Sequence, residues 1–264
     1  MNIFWKELKF RRIALLVWSL AMGVFMWTSM VKFQTFTSDT SATEALLKQM
    51  PDTVKTIFGM NGLDATSLGG YFGICFLFIA ILLAVHAALL GTGLLTREPL
   101  NKTTEFLYTK PVSRLRIVTA KLFAGLLLLA VLWGVTYLAS YGSIQLYSSM
   151  NGFGATLALF MAATAIIQVF CFTLGMAVAA LMRSATGAGK LLTGFVFASY
   201  ALSLVSQLDG WGRLHYASIF RYFDAGDILN TGSLKLHYVF ICVGLSLAAL
   251  MLVYLRYPHR DLTH

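Results

Sequence analysis

Residues 184–190 are the stretch that comes nearest to a phosphate-binding loop, and they read Ser-Ala-Thr-Gly-Ala-Gly-Lys. Such a loop begins with glycine and carries Ser or Thr directly after its lysine, where the hydroxyl binds Mg²⁺. Ser184 occupies the first position and Leu191 follows Lys190, so both requirements fail. We expect a flexible turn here and no nucleotide site on this chain.

Two histidines are the candidates for an ion-coupling residue inside the long apolar runs, His86 within the second run and His237 at the edge of the sixth. Ion-coupled transport usually leaves carboxylates inside the membrane, and an intramembrane hydrolase needs a nucleophile with a base or a metal set. No Asp or Glu stands in any of these runs, so both functions lack a residue set. We expect His86 to be a satisfied or cavity-facing polar residue, with a proton relay as the alternative.

The three cysteines indicate neither a disulfide framework nor a zinc site. Cys75, Cys171 and Cys242 all fall in apolar runs, and no two of them form a CxxC pair. We therefore expect no metal site on this chain.

Residues 97–114 form a charged segment that joins two apolar runs, Arg-Glu-Pro-Leu-Asn-Lys-Thr-Thr-Glu-Phe-Leu-Tyr-Thr-Lys-Pro-Val-Ser-Arg. Asn101 suits an N-cap, residues 104–108 suit a short helix, and Pro111 would end it. Ser113 and Arg114 would then restart a helix. A short amphiphilic helix held between two membrane spans is a lever on which a soluble partner could push.

The N-terminal segment interleaves apolar and charged residues. Ile3, Phe4 and Leu8 can share one face of a helix, and Trp5 suits the level of the lipid headgroups. This pattern predicts a helix over residues 1–12 that lies in the membrane interface and leads into the first span. A simple basic anchor explains the pattern as well. The residues assigned to this interfacial helix are Trp5, Lys6, Lys9, Arg11 and Arg12.

Composition places these segments in a membrane protein. Hydrophobic residues make up 58% of the 264 residues, charged residues make up 12%, and the mean hydropathy is +0.75. In soluble domains, about 45–50% of the residues are hydrophobic and about 25% are charged. About 20 apolar residues cross a bilayer as a helix. Six uncharged runs are long enough, namely residues 13–31, 71–95, 122–141, 155–182, 191–207 and 236–255. Only the turn-forming residues at 148–154 separate the third run from the fourth.

The distribution of basic residues predicts the orientation. Lys and Arg concentrate in the N-terminal segment, between residues 96 and 121, at residues 183 and 190, and in the tail, all on one side of a six-span chain. Basic loops stay in the cytoplasm, so both termini are predicted to be cytoplasmic in a multi-pass protein of the cell (inner or plasma) membrane. This topology explains the net charge of +9, and we expect no nucleic-acid partner.

Residues 103–114, with Lys121 after them, resemble the signature of ABC-2 type ABC transporter permeases. The matching residues are Glu98, Glu105, Pro111, Ser113, Arg114 and Lys121, while Lys102-Thr103-Thr104 replaces the usual Gly-Thr. Residues 46–59 and 216–223 are similar to the two outer loops of the same family, a broad group that includes NosY-like permeases and peptide and drug exporters.

The resemblance implies an all-α membrane protein of six transmembrane helices with an N-terminal interfacial helix, in the ABC-2, type V exporter-like architecture. Residues 1–264 would be one transmembrane domain. It implies two copies of a separate cytoplasmic ATPase, which binds ATP and Mg, and a second permease copy, as a homodimer rather than a heterodimer. The chain itself would carry no cofactor and no catalytic residue, and membrane lipid would surround it.

The resemblance also assigns site residues. The segment 97–114 would be the coupling helix that docks on the ATPase, through Glu98, Thr104, Glu105, Phe106, Leu107, Lys110, Pro111 and Arg114. The interfacial helix would add a second contact. The path would be lined by the second and fifth spans, and residues 41–58 and 209–222 would form an external gate with Pro51, Phe58, Ser218, Phe220 and Tyr222.

An amphipathic or hydrophobic substrate, such as a peptide, drug or lipid, suits spans that are apolar, rich in aromatic residues and free of buried charge. Two other functions remain open. An ion-gradient-driven secondary transporter would need an intramembrane carboxylate. A non-transporting membrane assembly subunit would bind a partner without ATP-driven flux.

Overall fold

The computed structural model describes residues 3–38, 40–60, 62–100, 113–148, 150, 152–182, 185–207 and 216–257. Within these ranges the regular structure is helical and no strand occurs. The described helices, in chain order, are α1 (Ile3–Ser38), α2 (Thr40–Gln49), α3 (Asp52–Ile57), α4 (Leu68–Leu100), α5 (Arg114–Tyr147), α6 (Gly154–Leu181), α7 (Ala185–Val205), α8 (Ile219–Tyr222), α9 (Ala225–Thr231) and α10 (Leu236–Arg256).

Six of these helices, α1, α4, α5, α6, α7 and α10, are long and apolar enough to cross a membrane. Each overlaps one of the six apolar runs of the sequence, which confirms the predicted all-α membrane fold. The turn between α5 and α6 falls at the predicted residues, where Gly152 has a φ of +76°. Glycine adopts this left-handed conformation without the steric cost that a Cβ brings.

Three predicted boundaries differ from the structure. No helix boundary exists at residue 12, because residues 3–12 and the first span form the single helix α1. No proline interrupts α1 and Gly23 is its one glycine, so nothing in the sequence breaks the helix. Residues 97–100, predicted as loop, extend α4. The turn predicted at 184–190 is helical from Ala185 onward, since Ala188 and Leu192 are buried against the bundle.

Helix α4 lies at the centre of the bundle, where it packs on α6 and α7, while α1 packs along α5 and α10 along α6. Two glycines allow the backbones of α4 and α6 to approach closely. A Cβ at Gly91 would lie 2.3 Å from the carbonyl oxygen of Phe172, and one at Gly175 would lie 2.9 Å from that of Ala88. Small residues let membrane helices pack backbone to backbone, so this contact sets the geometry of the pair.

Side-chain hydrogen bonds hold helix ends at both ends of the bundle. Ser113 caps α5, its hydroxyl accepting a hydrogen bond from the backbone N–H of Arg116 at 3.4 Å, which confirms the predicted helix restart. At the opposite end, Asp224 caps α9 by accepting from the N–H of Asp227 at 3.1 Å. The Tyr71 hydroxyl donates to the carbonyl oxygen of Ser29 at 2.8 Å and ties α4 to α1 near that end.

We predict that Gly91→Ala destabilises the bundle by about 1–3 kcal/mol, because the added methyl group forces α4 away from α6. Thermal unfolding of the full chain in detergent measures the loss. Gly134→Ala is the matched control, since a Cβ there meets nothing within 4 Å. Equal unfolding temperatures for the two variants would contradict the close contact.

Candidate functional site

A buried group of charges occupies the end of the bundle where α1 begins, α4 ends and α5 begins. Glu7 of α1 is only 5% exposed. Its Oε1 lies 3.8 Å from Nζ of Lys121 on α5, and its Oε2 lies 3.6 Å from Nε of Arg11. We call these three residues, Glu7, Arg11 and Lys121, the Glu7 cluster.

Lys121 binds a third helix as well. Its side chain has no exposed surface, and its Nζ donates a hydrogen bond of 2.5 Å to the carbonyl oxygen of Leu94 on α4. Buried charges are held only when partners offset the loss of water. The Glu7 cluster therefore fastens α1, α4 and α5 to one another.

Gly93 leaves room for the guanidinium of Arg11 against α4. A Cβ at this position would lie 3.1 Å from Nη2 of Arg11, which is tighter than normal contact. The glycine thus lets a charged side chain lie flat on a membrane helix.

The Glu7 cluster lies at the base of segment 97–114. Leu94 is about two turns from the end of α4, and Lys121 is about two turns from the start of α5. Arg114 is the first residue of α5, and Glu98 belongs to the last turn of α4. The other predicted coupling residues lie outside the described residues, namely Thr104, Glu105, Phe106, Leu107, Lys110 and Pro111.

The residues assigned to the interfacial helix divide into two groups. Trp5, Lys6, Lys9 and Arg12 are exposed, whereas Arg11 is half-buried beside Glu7. Glu7 was not predicted as a site residue. A signal was available, because Glu7 is the one acidic residue among the basic ones of this segment and stands four positions before Arg11.

At the other end of the bundle, Tyr200 of α7 contacts both predicted gate segments. Its hydroxyl donates to the carbonyl oxygen of Ile57, at the end of α3, at 2.5 Å. Its ring meets that of Phe220 edge-on, with the centroids 6.4 Å apart. The hydroxyl of Ser218 donates to the carbonyl oxygen of Ser199 at 2.7 Å. Helix α7 therefore joins residues 51–59 to residues 216–223. We call these two segments together the outer cap.

The predicted gate residues differ in their burial within the outer cap. Ser218 and Phe220 are buried, and Tyr222 is half-buried. Tyr222 stacks on Tyr238 with centroids 4.6 Å apart. Phe58 is 42% exposed, with its ring 6.4 Å from that of Phe78.

Pro51 is exposed and stands directly before α3. Through Tyr200 the structure thus links Phe220 to Ile57, the neighbour of Phe58, but it leaves Pro51 at the surface. Tyr200 and Ser199 were not predicted, because an aromatic or hydroxyl residue within an apolar run is not distinctive.

A cavity of about 170 Å³ lies beneath the outer cap, between α4 and α7. Its wall combines aromatic and aliphatic side chains with polar ones, among them Phe76, Leu77, Ile167, Ser203, Gln207 and Arg221. Such a wall can contact an apolar group and a polar group of one molecule at the same time.

Ion pairs hold the end of the outer cap and the part of the chain that follows it. Arg221 bonds to Asp224, and Nζ of Lys235 lies 2.7 Å from the carboxylate of Asp227. The hydrogen bond that Lys235 donates to the Asp227 carboxylate raises the pKa of Lys235, and burial raises the pKa of Tyr222. Among the described residues, no three His, Cys, Asp or Glu side chains are placed to hold a metal ion.

Residues 1–262 match the model of a protein family described as ABC-2 family transporter protein. A search of curated proteins found no significant match to the chain.

We predict that Lys121→Met lowers the free energy of unfolding by about 3–5 kcal/mol, because it removes one partner of the buried Glu7 carboxylate. The double variant Glu7→Leu with Lys121→Met is expected to recover part of this loss. Thermal unfolding in detergent measures both. Lys48→Met is the control, since it removes only an exposed pair with Glu44. Additive losses in the double variant would show that the two side chains are not coupled.

We predict that Tyr200→Phe accelerates backbone hydrogen exchange over residues 52–60, because the variant keeps the ring but loses the bond to Ile57. Hydrogen exchange with mass spectrometry measures the change. Tyr141→Phe is the control, since the Tyr141 hydroxyl accepts a hydrogen bond from the nearby Gln145 side chain on the exposed surface of α5. Unchanged exchange at residues 52–60 in Tyr200→Phe would contradict the assigned contact.

Proposed function

Because this chain belongs to the ABC-2 family of transporter proteins, we propose that it is the permease subunit of an ATP-driven exporter of amphipathic or hydrophobic substrates. The observation that carries the proposal is the family match, which extends over nearly the whole chain. Six helices suited to a membrane support it. A peptide, a drug or a lipid would be the substrate.

Permeases of this family normally work with an ATPase subunit. The proposed complex holds two copies of a cytoplasmic ATPase and two copies of this chain, as a homodimer. ATP and Mg bind on the ATPase, and this chain hydrolyses nothing itself. The ATPase docks on segment 97–114, with the exposed residues Trp5, Lys6, Lys9 and Arg12 as a second contact.

The Glu7 cluster supports coupling through this segment. The two ends of the segment continue directly as α4 and α5, and Lys121 joins both helices to α1. A displacement of the segment by the ATPase would therefore move three spans together. ATP binding would favour one arrangement of the bundle and hydrolysis would reset it, which is a shift of population between two states.

The outer cap and the cavity beneath it support the proposed path and substrate. The path runs between the two permease copies, lined by α4 and α7, and the outer cap closes it on the far side. The mixed wall of the cavity suits a molecule with both an apolar and a polar part. The concentration of Lys and Arg on one side supports cytoplasmic termini in the cell membrane.

We predict that Glu105→Lys leaves the chain inserted in the membrane but uncouples ATP hydrolysis from transport, because it reverses a charge that sets the register of the ATPase contact. The measurement is substrate-stimulated ATPase activity, beside flux into vesicles, of the complex purified with its ATPase. Arg256→Glu is the control, since it also reverses an exposed charge but at the end of α10, outside the segments assigned to the ATPase contact, the path and the gate.

Equal substrate-stimulated ATPase activity in wild type and Glu105→Lys would contradict the coupling assignment. The wider proposal fails if affinity purification of the chain from its native membrane brings down no ATPase, even after crosslinking from a cysteine placed at position 105.

A further inference from the structure

We propose that a cavity between α1 and α4 binds the phosphate group of a membrane phospholipid. The cavity has a volume of about 110 Å³ and is lined by Arg11, Ala14 and Trp18 of α1 and by His86 and Leu90 of α4. The binding site does not depend on transport.

The first observation is a buried polar atom in the wall. His86 is 7% exposed, and its Nδ1 has no hydrogen-bond partner within the described part of the chain. An unsatisfied polar group in an apolar setting is costly, so it favours a ligand that bonds to it. The imidazole is held edge-on to Trp18, with the ring centroids 5.2 Å apart. A phosphate oxygen in the cavity would accept a hydrogen bond from the Nδ1–H group.

Arg11 gives the same cavity a positive charge. Its guanidinium lies against Gly93 of α4, and its Nε lies 3.6 Å from Oε2 of Glu7. A guanidinium carries donors on two nitrogens beyond Nε, in the planar arrangement that matches the oxygens of a phosphate. Arg11 and His86 together therefore favour a phosphate over an uncharged polar group.

The surroundings of the opening select a ligand with an apolar tail. Leu89, which also lines the cavity, is 44% exposed, and Ile13 and Leu16 of α1 are each 67% exposed. These side chains face outward from helices suited to a membrane, so acyl chains can lie along them. A free phosphate would gain nothing from this apolar surface.

The depth of the cavity is consistent with a headgroup. Arg11 lies opposite Gly93, close to Leu95, where the apolar run of α4 ends. His86 lies about two turns, or about 10 Å, further into the bundle. Trp18 presents an amphipathic indole of the kind enriched where the acyl chains meet the headgroups. A phosphate between Arg11 and His86 would lie just inside that boundary, in the leaflet nearest the N-terminus.

The test is native mass spectrometry of the delipidated full chain in detergent, titrated with phosphatidylglycerol. We expect one tightly held lipid on the wild type, and an apparent affinity about tenfold weaker for His86→Leu, which removes a bond to a charged group. His86→Gln keeps a donor and should retain most of the affinity. His237→Leu is the matched control, because this histidine lies at the opposite end of the bundle, beside Tyr238.

Two further ligands distinguish binding through the phosphate group from binding through the acyl chains. Diacylglycerol with the same acyl chains lacks the phosphate and should not bind the site, and inorganic phosphate lacks the chains and should not displace the lipid. Ala14→Phe fills the cavity without removing a charge and should abolish binding. Ala14→Phe therefore tests the proposal even if His86→Leu fails to fold.

The proposal is overturned if His86→Leu holds phosphatidylglycerol as well as His237→Leu does, or if Ala14→Phe binds it as the wild type does. It is also overturned if diacylglycerol binds equally, which would indicate a site for acyl chains alone. Displacement of the lipid by inorganic phosphate would overturn it in favour of a soluble anion.

Discussion

The carboxylate of Glu7 is the point on which one end of this bundle depends. It is almost fully removed from solvent, and it lies between a cation of its own helix and a lysine of α5 that has no exposed surface. In a setting of low dielectric constant, none of these charges is stable by itself. Lys121 also bonds to the backbone of α4, so three helices share one electrostatic contact. At the base of the segment proposed to meet the ATPase, the three helices therefore form a joint: separating them would leave buried charges without partners, at a large cost in free energy.

Helix α4 connects this joint to the rest of the molecule. Its middle contacts α6 so closely that Gly91 has no space for a methyl group, and its first half lines the cavity beneath the outer cap. The same helix faces α1 across the cavity that holds His86. A rigid helix with such contacts along its length does not move at one end alone. This continuity is the physical basis for relating the outer cap to segment 97–114.

Much of the fold follows from the sequence, and the reasons differ between elements. The six spans are predictable because hydrocarbon requires long uncharged helices, and the break between α5 and α6 is predictable from Gly152 and its neighbours. Ser113 was predicted to restart a helix, and it caps α5. The continuity of α1 across residue 12 was missed because charge indicates where a helix leaves the apolar layer, but does not end the helix.

The site was less predictable, since its contacts involve atoms that have no sequence signature. Tyr200 bonds to a backbone carbonyl of Ile57, and every residue has such a carbonyl. Lys121 matched the family signature, yet its burial depends on α4 supplying the carbonyl of Leu94. Glu7 looked like one charge among many in a basic segment. Its role depends on which side of α1 faces α5, and an interleaved pattern of apolar and charged residues does not fix that side.

The length of α1 has a mechanical consequence. Its 36 residues span about 54 Å as an α-helix, whereas the hydrocarbon layer is about 30 Å thick, so much of the helix extends beyond the layer. The helix has no proline and is anchored near its first turns by the Glu7 cluster. Ser38 lies about 45 Å along the helix from that anchor, so a tilt of about 5° around the anchor would carry Ser38 sideways by about 4 Å. A small rotation at one surface of the membrane thus becomes a displacement of more than one atomic diameter at the other.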